Sequence, residues 1–155
     1  MKTTLTASLL TALLSCASAD NATFILGKWV CYQQRDEVMI VTQQNFRKNG
    51  KMTAKISFEG KMKDIPVKAA MKYRSAYQVK GDEIFDQAED AQLTAFRVGG
   101  RNARGTPAAV SFRATMLAPE VSVAKIRRKD DGYMDLQSDD GTLICRRPNQ
   151  PWPES

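Results

Sequence analysis

The sequence predicts an all-β chain that folds as a single antiparallel up-and-down β-barrel of eight to ten strands, closed by a disulfide between first and last strands. Three observations carry that expectation. Short runs rich in Val, Ile, Thr, Phe and Tyr recur from Phe24 onward, with no sustained helical period. Turn-forming residues separate those runs at short intervals. Two cysteines, Cys31 and Cys145, stand near opposite ends of the chain.

Residues 1–19 have the form of a signal peptide. Lys2 supplies the positive charge, Leu5 to Ser15 form an apolar run, and Ala17-Ser18-Ala19 gives the small-x-small site that signal peptidase cuts. Cleavage between Ala19 and Asp20 would release a secreted or periplasmic protein. The apolar run is too short for a bilayer, which takes about 20 residues. An alternative stays open: Leu13-Leu14-Ser15-Cys16 also fits a bacterial lipobox, which would anchor the chain through a lipid on Cys16. Either way Cys16 lies outside the folded domain, expected over residues 20–147.

Strands are predicted at Phe24–Gln33, Val38–Phe46, Met52–Phe58, Ile65–Tyr73, Ala76–Val79, Glu83–Gln87, Gln92–Val98, Ala109–Leu117, Val121–Arg127, Tyr133–Gln137 and Thr142–Arg147, the shorter ones merging. Asn49-Gly50 predicts a two-residue type I′ hairpin, whose central residues both need positive φ. Glu59-Gly60-Lys61, Lys80-Gly81-Asp82, Asp130-Asp131-Gly132 and Asp139-Asp140-Gly141 predict further turns. Gln87–Ala91 also suits a helical turn. Gly99 to Pro107 reads as a mobile basic loop. Residues 148–155 carry three prolines and read as a coil tail trailing off the domain.

An exported chain matures in an oxidising compartment, so Cys31 and Cys145 are expected to pair. Closing so long a loop is worth about 4–5 kcal/mol in the chain-entropy account, against a whole-domain stability of roughly 5–15 kcal/mol. If the first and last strands lie antiparallel, opposed positions have a constant sum. The register that sets Cys31 against Cys145 then sets Trp29 against Arg147, and the strand period of two puts all four on one face. An indole under a guanidinium adds about 0.5–2 kcal/mol.

Gly27-Lys28-Trp29 at the opening strand and Arg147 at the close resemble the lipocalins and the wider calycin group. In those barrels a Gly-x-Trp sets its indole at the floor and an Arg from the far end covers it. Phe46-Arg47-Lys48-Asn49-Gly50-Lys51 is similar to a hairpin of short bacterial lipocalin-like domains, as are Tyr77 to Ile84 and Met134 to Arg147 to later parts of that pattern. The resemblance implies barrel-closing roles for Gly27, Trp29 and Arg147. The chain departs from the family pattern in two ways: no helix is expected before the closing strand, and the stretch after Gly81 does not reproduce the second motif. The likeness therefore implies fold more than ligand.

The formal charge is +6 and the chain has no histidine. That removes the usual general base near neutral pH and the commonest metal ligand, while a disulfide would occupy both domain cysteines. Acidic residues gather at Asp82, Glu83, Asp86, Glu89 and Asp90 and in two Asp-Asp-Gly turns, without EF-hand spacing. No catalytic residue, metal or cofactor is assigned, and an enzyme is not expected. The basic residues have few aromatics among them, which argues against single-stranded nucleic acid as a partner. An eight-stranded barrel can hold one small ligand. The expected function is therefore binding of a small hydrophobic or amphipathic ligand, anionic ones included, lined by Val41, Ile56, Phe58, Met71, Tyr73, Phe112 and Met116. The alternative is a protein-binding module, such as an inhibitor of a secreted or host enzyme, acting through a basic loop with Arg97, Arg101, Arg104 and Arg113.

Overall fold

The computed structural model describes residues 21–153; the segment read as a signal peptide, with Cys16, lies outside the described residues. A helical turn at residues 21–24 leads into β1 (Gly27–Arg35), followed by β2 (Val38–Phe46), β3 (Lys51–Met62), β4 (Ile65–Lys80), β5 (Glu83–Val98) and the two-residue β6 (Arg101–Asn102). A helix, Pro107–Met116, comes next, then β7 (Ser122–Asp130), β8 (Tyr133–Ser138) and β9 (Gly141–Arg146). The sheet runs β4-β3-β2-β1-β9-β8-β7-β5, and β4 also pairs with β5, so eight antiparallel strands close on themselves. Alternation drives this closure. Trp29 and Cys31, Thr42 and Phe46, Met52 and Ile56, and Met71 and Tyr77 are all buried, each an even number of residues from its mate on the same strand.

Cys31 and Cys145 are disulfide-bonded and directly opposed, with Val30 facing Arg146 and Tyr32 facing Ile144. The same register brings the Arg147 guanidinium to 3.8 Å from the Trp29 ring centroid. Arg147 donates to the carbonyls of Phe24 (2.7 Å), Leu26 (2.8 Å) and Lys28 (3.2 Å), and the Trp29 indole donates to Ile25 O at 2.8 Å. A Cβ at Gly27, where φ is +93°, would stand 3.3 Å from the same guanidinium. The helical turn is thus clamped across the barrel's closed end, with Phe24 and Ile25 buried beneath it.

The walls differ in height. β4 and β5 have 16 residues each, β8 and β9 six. β5 pairs with β7 only from Glu83 to Asp86, so the upper part of β5 has no long strand beside that edge. An unpaired edge would offer its carbonyls to another chain. Here the following segment takes them: Ala103 N–H donates to Phe96 O at 2.8 Å, Arg104 Nη1 to Thr94 O at 3.2 Å, and Arg113 Nε to Ala91 O.

Several sequence expectations are corrected. Ala109–Leu117 is not a strand but most of the helix. Thr106 caps it, its hydroxyl accepting from Ala109 N–H at 3.4 Å, and Pro107 enters the first turn, where its missing N–H costs nothing. The Asn49-Gly50 turn is not type I′, because only Gly50 has positive φ. Gly50 N–H donates to Arg47 O and Arg47 N–H to Lys51 O, a type I turn followed by a left-handed glycine. Gly60 lies inside β3, and the turn falls at Lys63 and Asp64, both at positive φ. Gly60 is needed for close approach instead: a Cβ there would meet Glu37 O at 2.5 Å. Gln87–Ala91 stays in strand, with the pairing slipping one residue at Glu89. The tail is coil but does not trail away: Trp152 packs edge-on against Tyr32 at 4.9 Å, beneath the Arg146 guanidinium.

Candidate functional site at the barrel mouth

Inward side chains change character with height. Near the closed end Trp29, Cys31, Met134 and Cys145 are at most 1% exposed, and the interior there is filled. Toward the open end Ile40, Phe58, Leu93, Phe112 and Met116 pack against the same core yet remain only partly buried. Phe112 comes from the helix and meets Phe58 and Phe96 at centroid distances of 5.1 and 5.5 Å. The helix therefore leans on the inside of the tall wall and forms one side of the mouth.

Of the predicted lining residues, Phe58, Phe112 and Met116 lie at this mouth; Ile56 and Met71, opposed to each other one inward step below Phe58, are buried, and Tyr73 lies one step deeper again. Val41 is elsewhere. Its neighbours Ile40 and Thr42 flank it, and Thr42 points inward at 5% exposure, so the strand period turns Val41 outward beside Tyr32 and Ser57.

A polar cluster that the lining prediction missed stands among the apolar residues. Asp86 follows the buried Ile84 by two positions on β5, at the last pair before β5 and β7 part, opposite Ser122. Tyr73 Oη donates to Asp86 Oδ2 at 3.0 Å, and Ser75 Oγ donates to Asp86 Oδ1. Burial pushes the Asp86 pKa above the ordinary carboxylate value, and the two hydroxyl donors pull part of the way back. The Tyr73 phenol is raised in turn, by burial first and then by the Asp86 charge. Among the described residues no basic side chain forms an ion pair with Asp86. Thr42 Oγ1 and Gln44 Oε1, also inside the barrel, are buried without a partner. The signal for Asp86 was available: Ile84-x-Asp86-x-Ala88 alternates in step with the inner face, which singles it out from four neighbouring acids.

The four predicted loop arginines are not a single patch. Arg97 and Arg101 are exposed at the β5–β6 end, whereas Arg104 and Arg113 are engaged with β5 carbonyls, and Arg113 also approaches Asp90 at 3.8 Å. The more continuous basic surface is the outer wall of β1–β4, where Lys28, Lys55, Lys72 and Arg74 border one concavity with Val30, Gln43 and Asp90, the last paired with Arg74 at 3.4 Å. Lys55 and Lys72 are directly opposed across β3 and β4, a like-charge pairing that costs stability.

Fold and site together define a class: a closed eight-stranded antiparallel barrel, disulfide-bonded between first and last strands, with a helix at its mouth. No family model matches the chain, and no curated protein matches it. The disulfide is consistent with an oxidising compartment. No helix among the described residues is long and apolar enough to cross a membrane.

Proposed function

We propose that this is an exported, lipocalin-like binding protein that holds a small amphipathic ligand inside its barrel, apolar body toward the mouth and polar end inward. The apolar body would lie against Phe58, Leu93, Phe112 and Met116, and the polar end would meet Tyr73, Ser75 and Asp86. The observation that carries the reading is the division of the interior: a filled floor, and above it inward apolar side chains left partly accessible over one half-buried carboxyl. Small-molecule sites have this make-up, mostly apolar with a few polar groups that fix orientation. The leader-like residues 1–19 and the Cys31–Cys145 bridge support export.

The test is titration of the mature chain with the uncharged fluorophore N-phenyl-1-naphthylamine. One saturable site per chain is expected, weakened about tenfold by Leu93→Arg while Phe85→Arg, on the outer wall, leaves it unchanged. No saturable binding, or equal loss in both variants, would discard the reading. The opposed Lys55 and Lys72 favour a second one, an acidic partner on the outer wall. Salt-sensitive binding to an acidic protein, lost in a Lys55→Gln, Lys72→Gln double variant and kept in Leu93→Arg, would select it.

A further inference from the structure

Resting on that reading of the mouth, we infer that the polar end of the ligand is a protonated primary amine. At this level the inner wall holds a carboxylate with acceptor positions to spare, and two further polar side chains nearby each have an oxygen without a partner. The Asp86 carboxylate receives hydrogen bonds from Tyr73 and Ser75, but two oxygens offer about four acceptor positions, and two are in use. Gln44 lies on the Tyr73 row, with only Ala54 between them in the register, and its Oε1 is buried and unpartnered, as is Thr42 Oγ1 one inward step higher. Both side chains are more than nine-tenths buried.

The basic groups near the barrel are committed elsewhere. Arg147 is held by three carbonyls and the Trp29 ring at the closed end, Arg128 stacks on Phe24, Lys125 pairs with Asp82, and Arg113 serves Ala91 O and Asp90. The groups facing Asp86 across its strand pairs are Tyr77 on β4 and Ser122 on β7, neither of them a cation. Its two hydroxyl donors solvate the charge without neutralising it, and burial pushes its pKa up with only those two hydrogen bonds to oppose the shift. An ammonium head supplies both missing things, a positive charge and up to three N–H donors. A carboxylate head would be repelled at the same place, and a hydroxyl would fill one acceptor while leaving the charge uncompensated.

The experiment compares three eight-carbon probes, n-octylamine, 1-octanol and octanoate, by calorimetric titration of the mature chain at pH 7. Octylamine should bind at least tenfold more tightly than octanol, with octanoate weakest. Asp86→Asn should erase the preference, bringing the octylamine-to-octanol affinity ratio close to one. In the unmodified chain, octylamine affinity should fall as pH is lowered through the Asp86 titration, with octanol unaffected, a readout that holds even if the variant fails to fold. If octanol or octanoate equals octylamine, the amine assignment is wrong and the mouth remains a binding site. If none of the three binds, the assignment falls together with the reading of the mouth.

Discussion

Asp86 shows how much one inward position can decide. An acid whose folded pKa lies above its unfolded value holds more protons when folded. Its contribution therefore favours the fold at low pH and is lost as pH rises from the unfolded pKa through the raised folded one. Asn at this position keeps an acceptor oxygen for Tyr73 or Ser75 and removes the charge. Asp86→Asn should accordingly raise the melting temperature at pH 7, and the difference from the unmodified protein should vanish toward acid, where Asp86 is itself neutral. Equal melting temperatures at both pH values would mean that the carboxyl is solvated after all. Trp29, Cys31, Cys145 and Arg147 were legible in the sequence, because one antiparallel register fixes all four. Asp86 was harder, since acids on a polar stretch look alike until the strand phase is known, and β5 slips phase at Glu89.

At the scale of elements, the helix and the upper half of β5 depend on one another. The helix was misread as a strand because Val110 and Phe112 suit either state, while the Thr106-Pro107 start signal is local and easily passed over. Its contacts with the barrel are few in kind: the Phe112 ring between Phe58 and Phe96, and arginine donors on the edge carbonyls of β5. Thr106→Ala removes the cap at a cost of about 1 kcal/mol. Arg113→Ala leaves Ala91 O without its donor, a loss of similar size, about 1 kcal/mol. Hydrogen exchange should then accelerate in residues 107–116 and in upper β5 while β1 and β9 keep their protection, since the two regions share no pairing. Uniform acceleration across the barrel would instead make the helix part of the global folding unit. Turns followed the same rule of local legibility. Asn49-Gly50 announced a hairpin, but its type depended on a single φ, and Gly60 marked the close passage of Glu37, not a reversal.

Across the whole molecule, the barrel's seams are unequal, and its fastenings fall where pairing is least. β1 meets β2 over nine residue pairs, but β1 meets β9 over three, Val30–Arg146, Cys31–Cys145 and Tyr32–Ile144. The disulfide occupies the middle of that short seam. On the inside, Arg147 reaches across it to the carbonyls of Phe24, Leu26 and Lys28. On the outside, Trp152 sits against Tyr32 of β1 and Arg146 of β9, and the tail is tied down by Tyr133 Oη to Pro151 O at 2.9 Å and Arg146 Nη1 to Gln150 O at 2.6 Å. A covalent bond and two noncovalent clamps thus hold one joint, so their contributions should couple instead of adding. Deleting residues 148–155 should lower the melting temperature by only a few degrees while the disulfide is intact, because the covalent tie already keeps the seam shut. In a Cys31→Ser, Cys145→Ser background, itself destabilised by about 4 kcal/mol, the same deletion should cost distinctly more, and exchange should quicken first at Val30 to Tyr32 and Ile144 to Arg146. A four-state thermal-melting cycle measures this directly. If the deletion costs the same in both backgrounds, the tail and the bridge act on different parts of the fold, and the short seam is not where the barrel opens.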